Sequence, residues 1–532
     1  MPTVGFTAYG GAGDDLIYGS QAGDHLAGGS GDDTIFGQRG TDHIYGDSGV
    51  NVDILTRALD IATVDNSPEP TVDDGLEKTD STFKPAPSLV RDDLVAGRDF
   101  IDGNGAVDED GNLLQDLPNI IFGDHGVIKQ FVADPNEPPI LLQKIQTTEL
   151  SSILEINSVE LQNGGDDILF GTNLPDILIG GAGNDMIDGR EEDDLIFGDN
   201  VYLTRMGEPG DVNLLDDILN ARFQALAGAL LYARTDRALP NGVDPIYAYA
   251  PDGQPGALGG ENSGLLLTDG IKRNYRDPSG PQWWSEYEID YAALHTFEFD
   301  YGNAGDGSFG NDYLAGGAGH DEIFGQLGND VIQGDGSIDS AAAAQAHVGA
   351  ARSPAGIEDP IGPLKVVGSF EAASDGEDYI EGGGGCDVIF GGLGQDDLVG
   401  GSSTHFSLVT ANSRPDGNDT IFFGGAGTQI DRNNGFDNNT AMEVNPLEDG
   451  TAVGELHARD SDTIAGDNAD IIRIVGINSF LDATPDVNFG GDGTGEWDPD
   501  SPNYVSFAYD NYGNEKADRA RRAPARLHAR RA

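Results

Sequence analysis

Aspartates recur at a fixed spacing within residues 162–200, where a large aliphatic residue follows each of them by two positions. Glycines fill the turn before the aspartate, most completely in unit 180–188, which reads G-G-x-G-x-D-x-U-x with U a large aliphatic. Glycine permits turns with positive φ that bring backbone carbonyls together, and a carboxylate is a hard, charged oxygen ligand. Calcium binding is therefore the chemistry predicted for four aspartates that lie nine positions apart: Asp167, Asp176, Asp185 and Asp194.

These ligands need a scaffold that repeats with the same period. The aliphatic residue points inward from a very short strand, and no nine-residue unit can bury it alone, so units must stack. We predict an all-β fold: a parallel β-helix (β-roll) in which two units make one turn and calcium lies between neighbouring loops on each side. Units that match the whole consensus are 10–18, 28–36, 180–188, 316–324, 382–390 and 391–399.

The repeated units resemble the RTX family, the hemolysin-type calcium-binding repeat proteins secreted by Gram-negative bacteria. The resemblance implies several bound calcium ions, a location outside the cell or at the cell surface, and export by a type I system. The N-terminus fits that route, because it has neither the basic segment nor the apolar core of a classical signal peptide. No segment approaches the ~20 apolar residues of a membrane span.

Composition narrows the choice of partners. The formal charge is −63, with 92 acidic and 29 basic residues, so the chain repels itself unless cations neutralise it. We therefore expect divalent cations as partners, and neither nucleic acid nor anionic membrane. The single cysteine, Cys386, allows no disulfide within the chain, which leaves calcium as the stabilising cross-link.

The repeats fall into blocks separated by other sequence. Proline- and charge-rich stretches read as linkers, whereas alternating apolar residues read as strands. The predicted repeat blocks are block 1 at 1–54, block 2 at 162–200, block 3 at 307–336 and block 4, with an insertion, at 375–424. Between them lie a linker and strand-rich insertion with degenerate repeats at 55–161, a helix and aromatic strand insertion at 201–306, and a linker at 337–374. A loop-rich region with a terminal degenerate repeat at 425–515 and a basic tail at 516–532 follow block 4.

A second motif, I-x-G-D, marks the ends of blocks. We interpret it as a terminator at which the chain leaves the β-helix; the alternative is an ordinary Gly-Asp turn. It occurs at 44–47, 121–124, 196–199, 332–335 and 464–467.

Candidate calcium ligands are the aspartates and the loop glycines. Each loop should share its ion with the loop two units later, so that Asp15 meets loop 28–33, Asp24 meets 37–42, Asp167 meets 180–185 and Asp176 meets 189–194. Loops 171–176 (GTNLPD) and 189–194 (GREEDD) lack consensus glycines, which weakens their ligand sets. The full candidate set is Gly11, Gly13, Asp15, Asp24, Gly29, Gly31, Asp33, Asp42, Gly165, Asp167, Asp176, Gly181, Gly183, Asp185, Asp194, Gly310, Asp312, Gly317, Gly319, Asp321, Gly328, Asp330, Asp378, Gly383, Gly385, Asp387, Gly392, Gly394, Asp396 and Asp419.

The insertion at 201–306 is the longest. Apolar spacings of three and four predict an amphipathic helix over 214–237, and alternation predicts strands near 287–291 and 297–301. Two interpretations stay open for the aromatic cluster around Trp283 and Trp284: a carbohydrate-binding surface, or the core of a small insertion.

Motifs for catalysis are scarce. Neither HExxH nor GxSxG occurs, the lone GxGxxG that ends at Gly310 lacks a strand-turn-helix frame, and the EF-hand-like start at 108–112 lacks its glycine. His25, His43 and His320 are expected to be solvent-exposed. We predict no catalytic residues and no organic cofactor.

The sequence predicts a non-enzymatic, secreted calcium-binding repeat protein that folds on binding extracellular calcium, with a structural or adhesive role toward surface polysaccharide or another extracellular protein. The alternative is a calcium-dependent accessory region of a larger secreted enzyme (hydrolase or polysaccharide-modifying) or toxin. The basic tail 516–532 either contacts an acidic surface or results from a shifted reading frame.

Overall fold

A computed structural model describes the repeats and part of the insertions. The described residues are 4–48, 96–105, 116–132, 150–206, 282–295, 309–338, 375–376, 378–392, 396–422, 424 and 462–471, with the backbone of short strands at 51–53, 59–60, 89–90, 140–143, 265–266, 272–273, 349–352 and 364–367. The predicted helix over 214–237, strand 297–301, the EF-hand-like segment and the basic tail lie outside these residues.

Two parallel sheets form the body of the protein, and the chain alternates between them. The ten-stranded front sheet contains, in spatial order, Thr7–Ala12, His25–Ser30, His43–Tyr45, Ile120–Phe122, Ile177–Gly181, Leu195–Asp199, Glu322–Phe324, Tyr379–Glu381, Asp397–Val399 and Thr463–Ala465. The nine-stranded back sheet contains Leu16–Tyr18, Thr34–Gln38, Phe100–Gly105, Ile168–Phe170, Met186–Glu191, Tyr313–Ala318, Val331–Asp335, Val388–Phe390 and Thr420–Phe422.

The core between the sheets consists of one aliphatic residue from almost every strand. Leu26, Ile44 and Ile121 are register partners on adjacent front strands, so their side chains stack in a column. The column and its back-sheet counterpart merge into one buried cluster: Ile17, Leu26, Ile35, Ile44, Ile101, Ile121, Leu169, Leu178, Ile187, Ile196, Leu314, Ile323, Ile332, Ile380, Ile389 and Leu398. Burial stabilises each by about 1.5–3 kcal/mol. The predicted parallel β-roll is confirmed.

The sequence blocks join into one continuous roll. Strand His43–Tyr45 pairs with Ile120–Phe122, and that strand pairs with Ile177–Gly181, although long insertions separate all three in sequence. Degenerate units near 99 and 119 supply the strands that bridge the predicted blocks. The insertions are therefore excursions that leave the roll at a loop and return to the same loop.

Two excursions build an antiparallel sheet outside the roll, which we call the cover sheet. Its strands are, in order, Ile140–Gln143, Gly126–Val132, Ile153–Ser158, Tyr202–Arg205 and Tyr287–Asp290. Cover-sheet residues Ile128, Ile156 and Ile289 share a buried cluster with Phe122 and Phe197 of the front sheet. The cover sheet thus packs on the outer face of the front sheet and hides it from water.

Predicted strands agree with several of these elements. The strand expected near 287–291 corresponds to Tyr287–Asp290, and the insertion predicted to be rich in strands contains Gly126–Val132, Ile140–Gln143 and Ile153–Ser158. The smaller β elements are the sheet of Asn51–Asp53, Leu59–Asp60 and Leu89–Val90, the pair Leu265–Leu266 with Lys272–Arg273, and the pair Gly349–Arg352 with Leu364–Val367. The helical elements are the α-helical turn Ala292–His295 and 3-10 turns at Leu150–Ser152, Trp283–Glu286 and Ala411–Ser413.

Candidate metal sites

The loops that lead from the front sheet to the back sheet carry a continuous ladder of aspartates. The backbone N–H of Asp15 donates to Asp33 Oδ1 at 2.7 Å, and the same hydrogen bond repeats from each aspartate to the next, at 2.7–3.0 Å. Some steps cross a long excursion. The ladder runs through Asp15, Asp33, Asp99, Asp167, Asp185, Asp312, Asp330, Asp387 and Asp419.

The back-to-front loops carry a second ladder with the same geometry. It starts where the N–H of Phe6 donates to Asp24 Oδ1 at 2.7 Å, and the sixth loop position then bonds to its counterpart in the next layer. The members are Asp24, Asp42, Asn119, Asp176, Asp194, Asp321, Asp378, Asp396 and Asp462. Every candidate aspartate of the sequence analysis lies on one of the two ladders.

Sequence reasoning missed three members of these ladders, Asp99, Asn119 and Asp462. Their units lack the Gly-Gly pair that opens the consensus turn, so they did not resemble ligand sets. A shorter signal identifies them, because each is followed two positions later by an isoleucine: Ile101, Ile121 and Ile464.

The second carboxylate oxygen of the ladder aspartates points into a pocket of backbone. A Cβ on Gly180 would stand between Asp185 Oδ2 and the carbonyl oxygen of Gly198 in the next layer, and Gly325 has the same surroundings. Oδ2 is buried without a hydrogen-bond partner in Asp33, Asp42, Asp99, Asp167, Asp185, Asp194, Asp312, Asp321, Asp330, Asp387 and Asp419. A buried, unpartnered carboxylate oxygen beside carbonyl oxygens is the donor set that calcium requires.

The acidities of these groups show how unfavourable the negative charge is without a cation. Burial, followed by the charge of neighbouring aspartates, raises the pKa of Asp33 from 3.8 to about 6. Burial raises the pKa of both Asp167 and Asp312 to about 7. At neutral pH such carboxyls need either a proton or a cation, and calcium supplies the charge that a water-excluded loop cannot.

Loops 19–24 and 171–176 satisfy their aspartate differently. In loop 171–176 the N–H of Thr172 donates to Asp176 Oδ2 at 2.5 Å, and Thr172 Oγ1 accepts from the N–H of Leu174 at 3.1 Å. In loop 19–24 the N–H of Ser20 donates to Asp24 Oδ2, and Ser20 Oγ accepts from the N–H of Ala22. In these two loops Oδ2 of the aspartate already accepts a hydrogen bond from the hydroxyl turn, so it is not a free acceptor as it is in the loops described above.

In the layers next to loop 171–176, a neutral side chain and a basic side chain contact backbone carbonyls in place of a cation. Asn119 stands at the aspartate position, and its Nδ2 donates to Gly103 O at 3.3 Å. The guanidinium of Arg190 donates to Gly171 O at 2.9 Å and pairs with Asp102 at 2.8 Å. Arg190 therefore contacts the first-position carbonyl of loop 171–176. The weakened ligand set expected for loop 171–176 therefore has a structural basis. Loop 189–194 differs, because Asp194 keeps an Oδ2 without a hydrogen-bond partner.

The candidate glycines have two distinct roles. Second-position glycines adopt positive φ: Gly11, Gly29, Gly181, Gly317, Gly383 and Gly392. Fourth-position glycines stack through the layers, because a Cβ on one would collide with a carbonyl of the glycine below, as at Gly165, Gly183, Gly310, Gly328 and Gly385. Gly13, Gly31 and Gly319 occupy the same fourth position with positive φ, and Gly394 lies outside the described residues.

The I-x-G-D aspartates hold the points where the chain leaves and returns. We call Asp47, Asp124, Asp199 and Asp335 the exit aspartates. Oδ1 of each accepts the N–H of the fourth-position glycine at which the excursion ends, the return glycine: Gly97, Gly165, Gly310 and Gly376, all at 2.8–2.9 Å. In an uninterrupted loop, one residue connects the second position to the fourth. Here the aspartate side chain makes that connection through its hydrogen bond to the return glycine.

The expectation that His25 and His43 are exposed was wrong. Both are 0% exposed, and His25 lies between the rings of Tyr9 and Tyr45, at centroid distances of 5.8 Å and 5.0 Å. Burial lowers the pKa of His25 to about 4 and that of His43 to about 3, so both are neutral. Two aromatic rings enclose His25, which the repeat pattern does not indicate, and His320 is half-buried.

The tryptophans of the long insertion fasten it to the roll. Trp284 is buried, and its Nε1 donates to Asp193 O at 2.9 Å, while Trp283 Nε1 donates to Pro175 O at 2.7 Å. Trp284 belongs to the same buried cluster as Tyr287 and Tyr291. These aromatic residues form a packed core at the loops.

Two absences concern only the described parts of the chain. No three His, Cys, Asp or Glu side chains there are already gathered as a metal site made of side chains alone. No described helix has the length and apolar character needed to cross a membrane.

Comparison with known proteins agrees with this geometry. The family profile described as RTX calcium-binding nonapeptide repeat (4 copies) matches residues 7–22, 18–53, 163–196, 301–341 and 373–403. A search of curated proteins finds no significant match. The matched ranges contain Asp33, Asp185 and Asp330, whose Oδ2 atoms lack partners.

Proposed function

We propose that this chain, which carries the RTX calcium-binding nonapeptide repeats and belongs to that repeat family, is a structural protein that folds when it meets calcium outside the cell. The observation that carries it is the pair of aspartate ladders, in which buried Oδ2 atoms face carbonyl oxygens without a partner.

Calcium and folding are coupled through electrostatics. Successive ladder aspartates lie one layer apart, joined by a single hydrogen bond of 2.7–3.0 Å along the front-to-back row, so like charges are held close together inside the protein. Without cations their repulsion and desolvation oppose the stacking that the aliphatic core favours. Because the ligands converge only in stacked loops, ion-binding free energy becomes folding free energy.

This coupling suits a protein that works where calcium is abundant. Extracellular calcium modules bind at about 10⁻⁴–10⁻³ M, far above cytosolic levels, so such a chain stays unfolded before export. The role we propose is non-enzymatic: the roll is a rigid support that presents its excursions to surface polysaccharide or another extracellular protein. The excursion anchored by Trp283 and Trp284 supports this role, because it is packed onto the roll at Pro175 and Asp193.

Circular dichroism of the full chain tests the folding step. We expect a disordered spectrum in chelator, a β spectrum in millimolar calcium, and little change in magnesium, which demands a stricter octahedral geometry. A β spectrum of equal strength in chelator would refute the proposal. Immunodetection of the native protein in medium, surface and cytosolic fractions tests the location, and a folded cytosolic pool would contradict it.

A further inference from the structure

One excursion closes on the roll through an asparagine that is followed by glycine. The excursion leaves after Asp124 and returns at Gly165, and we call the place where its two ends meet the neck. Two contacts close the neck: the N–H of Gly165 donates to Asp124 Oδ1 at 2.8 Å, and Asn163 Nδ2 lies 2.9 Å from His125 Nε2. The amide of Asn163 is therefore held beside an imidazole.

Packing admits only glycine after Asn163. A Cβ on Gly164 would collide with Asp124 Oδ2 and with the carbonyl oxygen of Ala182. Both Asn163 and Gly164 are half-buried and lie outside the strands, and the N–H of Gly164 donates to no residue in the described part of the chain. Glycine has no Cβ to shield its own nitrogen. An unbonded, unshielded backbone nitrogen thus follows the Asn163 side chain directly.

We propose that Asn163 is a deamidation site. The backbone nitrogen of Gly164 attacks Asn163 Cγ, and the new C–N bond closes a succinimide ring. The Cγ–Nδ2 bond breaks, and Nδ2 leaves as ammonia with the proton that the Gly164 nitrogen gives up. Water then opens the ring at either carbonyl, which yields aspartate or isoaspartate. The net reaction consumes water and releases ammonia.

His125 is placed to assist the departure of ammonia. Its Nε2 lies 2.9 Å from the leaving Nδ2, and the residue is only 1% exposed, so the contact is held in place. An imidazole at this distance can donate a proton to the leaving nitrogen and take up, through water, the proton that Gly164 releases. His125 therefore serves as the proton carrier of the reaction.

A second asparagine–glycine pair among the described residues provides an internal comparison. Asn104 is 0% exposed and lies within strand Phe100–Gly105, where Gly105 is the register partner of Gln38. Strand pairing keeps this backbone extended, which holds the glycine nitrogen away from the asparagine Cγ, and burial excludes the water that opens the ring. In the folded chain we therefore expect Asn163 to react and Asn104 to persist.

The products change the neck itself. Both replace the amide that contacts His125 by a carboxylate, and isoaspartate also lengthens the main chain by a methylene just before Gly165. The longer chain displaces Gly165 from Asp124 Oδ1, the acceptor that fixes the return. Deamidation is thus an irreversible clock that loosens this excursion from the roll and opens its backbone to proteases.

Peptide mapping of the full chain, aged in millimolar calcium at neutral pH, tests the assignment without any substitution. We expect aspartate and isoaspartate to accumulate at residue 163 at least severalfold faster than at residue 104, and the two rates to converge in denaturant. Circular dichroism of the same sample confirms the β fold, so that a failure to fold is not confused with a failure to react. Equal rates at the two positions in the folded chain would overturn the inference.

Two variants separate the parts of the proposal. Asn163→Gln keeps the amide but must close a larger ring, so the reaction at this position should cease, and limited proteolysis should cut the excursion faster in aged wild-type chain than in the aged variant. Equal proteolysis would overturn the clock. His125→Gln keeps a polar contact but carries no proton, and should slow Asn163 severalfold without changing Asn104; an unchanged rate would overturn the role of His125.

Discussion

The backbone N–H of Gly310 donates a hydrogen bond to Asp199 Oδ1 at 2.8 Å, although the two residues lie 111 positions apart in the chain. This one bond explains how the roll tolerates its insertions. The exit aspartate connects the two ends of the interrupted loop, so the next layer stacks as though no insertion intervened. The N–H of Asp185 still donates to Asp312 Oδ1 at 2.8 Å. Loop-closure entropy grows only slowly with loop length, which makes such long excursions affordable.

A substitution at a return glycine should break this stacking. A Cβ on Gly310 would collide with the carbonyl oxygen of Gly183, whereas a Cβ on Gly466 meets nothing within 4 Å. We expect Gly310→Ala to lower the free energy of unfolding in saturating calcium by about 1–3 kcal/mol or more, as overpacking does, and Gly466→Ala to change it little. Denaturant titration measures both. Equal stability of the two variants would contradict the stacked-glycine account.

The hydroxyl turns predict unequal calcium occupancy of neighbouring loops. Asp176 Oδ2 accepts from Thr172, whereas Asp194 Oδ2, one layer away, has no partner. Asp194→Asn should therefore remove or weaken a calcium ion, while Asp176→Asn should leave the number of bound ions unchanged. Equilibrium dialysis with metal analysis counts the ions. Loss of an ion from Asp176→Asn, with none lost from Asp194→Asn, would reverse the assignment.

Calcium-free protein should fold better in mild acid than at alkaline pH. Burial raises the pKa of Asp33 from 3.8 to about 6 and that of Asp312 to about 7. A raised folded-state pKa means that these groups contribute stability below 3.8 and lose it as the pH rises through 6–7. His25 opposes this, because burial lowers its pKa from 6.5 to about 4, and its contribution is lost as the pH falls through about 4.

In calcium-free buffer we therefore expect a stronger β signal at pH 5 than at pH 8. Circular dichroism at both values measures it, and the same pair of spectra in millimolar calcium is the control, where the difference should reverse or vanish as protons compete with the ion. A calcium-free signal that is greater at pH 8 would contradict the assignment of buried, charge-repelling carboxylates.

A buried ion pair holds together two segments of the longer cover-sheet excursion. Arg205 pairs with Glu286, and their side chains are 4% and 0% exposed. Removing one partner leaves an uncompensated buried charge, so Glu286→Ala should cost about 3–5 kcal/mol of unfolding free energy. Glu288→Ala, at an exposed position on the strand that directly follows Glu286, is the control. A similar, small loss for both in calcium-saturated denaturant titrations would show that the pair adds nothing.

The repeating part of this architecture was predictable because one period governs both ligand and core. Nine-residue units with two units per turn place Asp167 below Asp185, which is the observed register. The same logic identified every candidate aspartate now found on a ladder. It failed at Asp99 and Asn119, because a degenerate unit keeps the buried aliphatic residue after it has lost the glycine turn.

The remaining features depend on contacts between segments that no local pattern links. The cover sheet pairs Ile156 with Leu203 and Leu203 with Ile289, residues from two different excursions. His25 lies between the rings of Tyr9 and Tyr45, and it stands at a variable position of the repeat consensus where no local pattern indicates burial. At Thr172 a hydroxyl turn satisfies the aspartate that a cation would otherwise contact, and this depends on the geometry of the turn. From the sequence GTNLPD alone, only the absence of a consensus glycine could be seen.

The most direct test of the account is one calcium titration of the full chain that follows bound calcium and β signal together. We predict that both rise in parallel, over about 10⁻⁴–10⁻³ M, because the ligands exist only in stacked loops. A β signal already complete before calcium binds, or calcium uptake with no gain of β structure, would contradict the claim that the aspartate ladders fold around the ion.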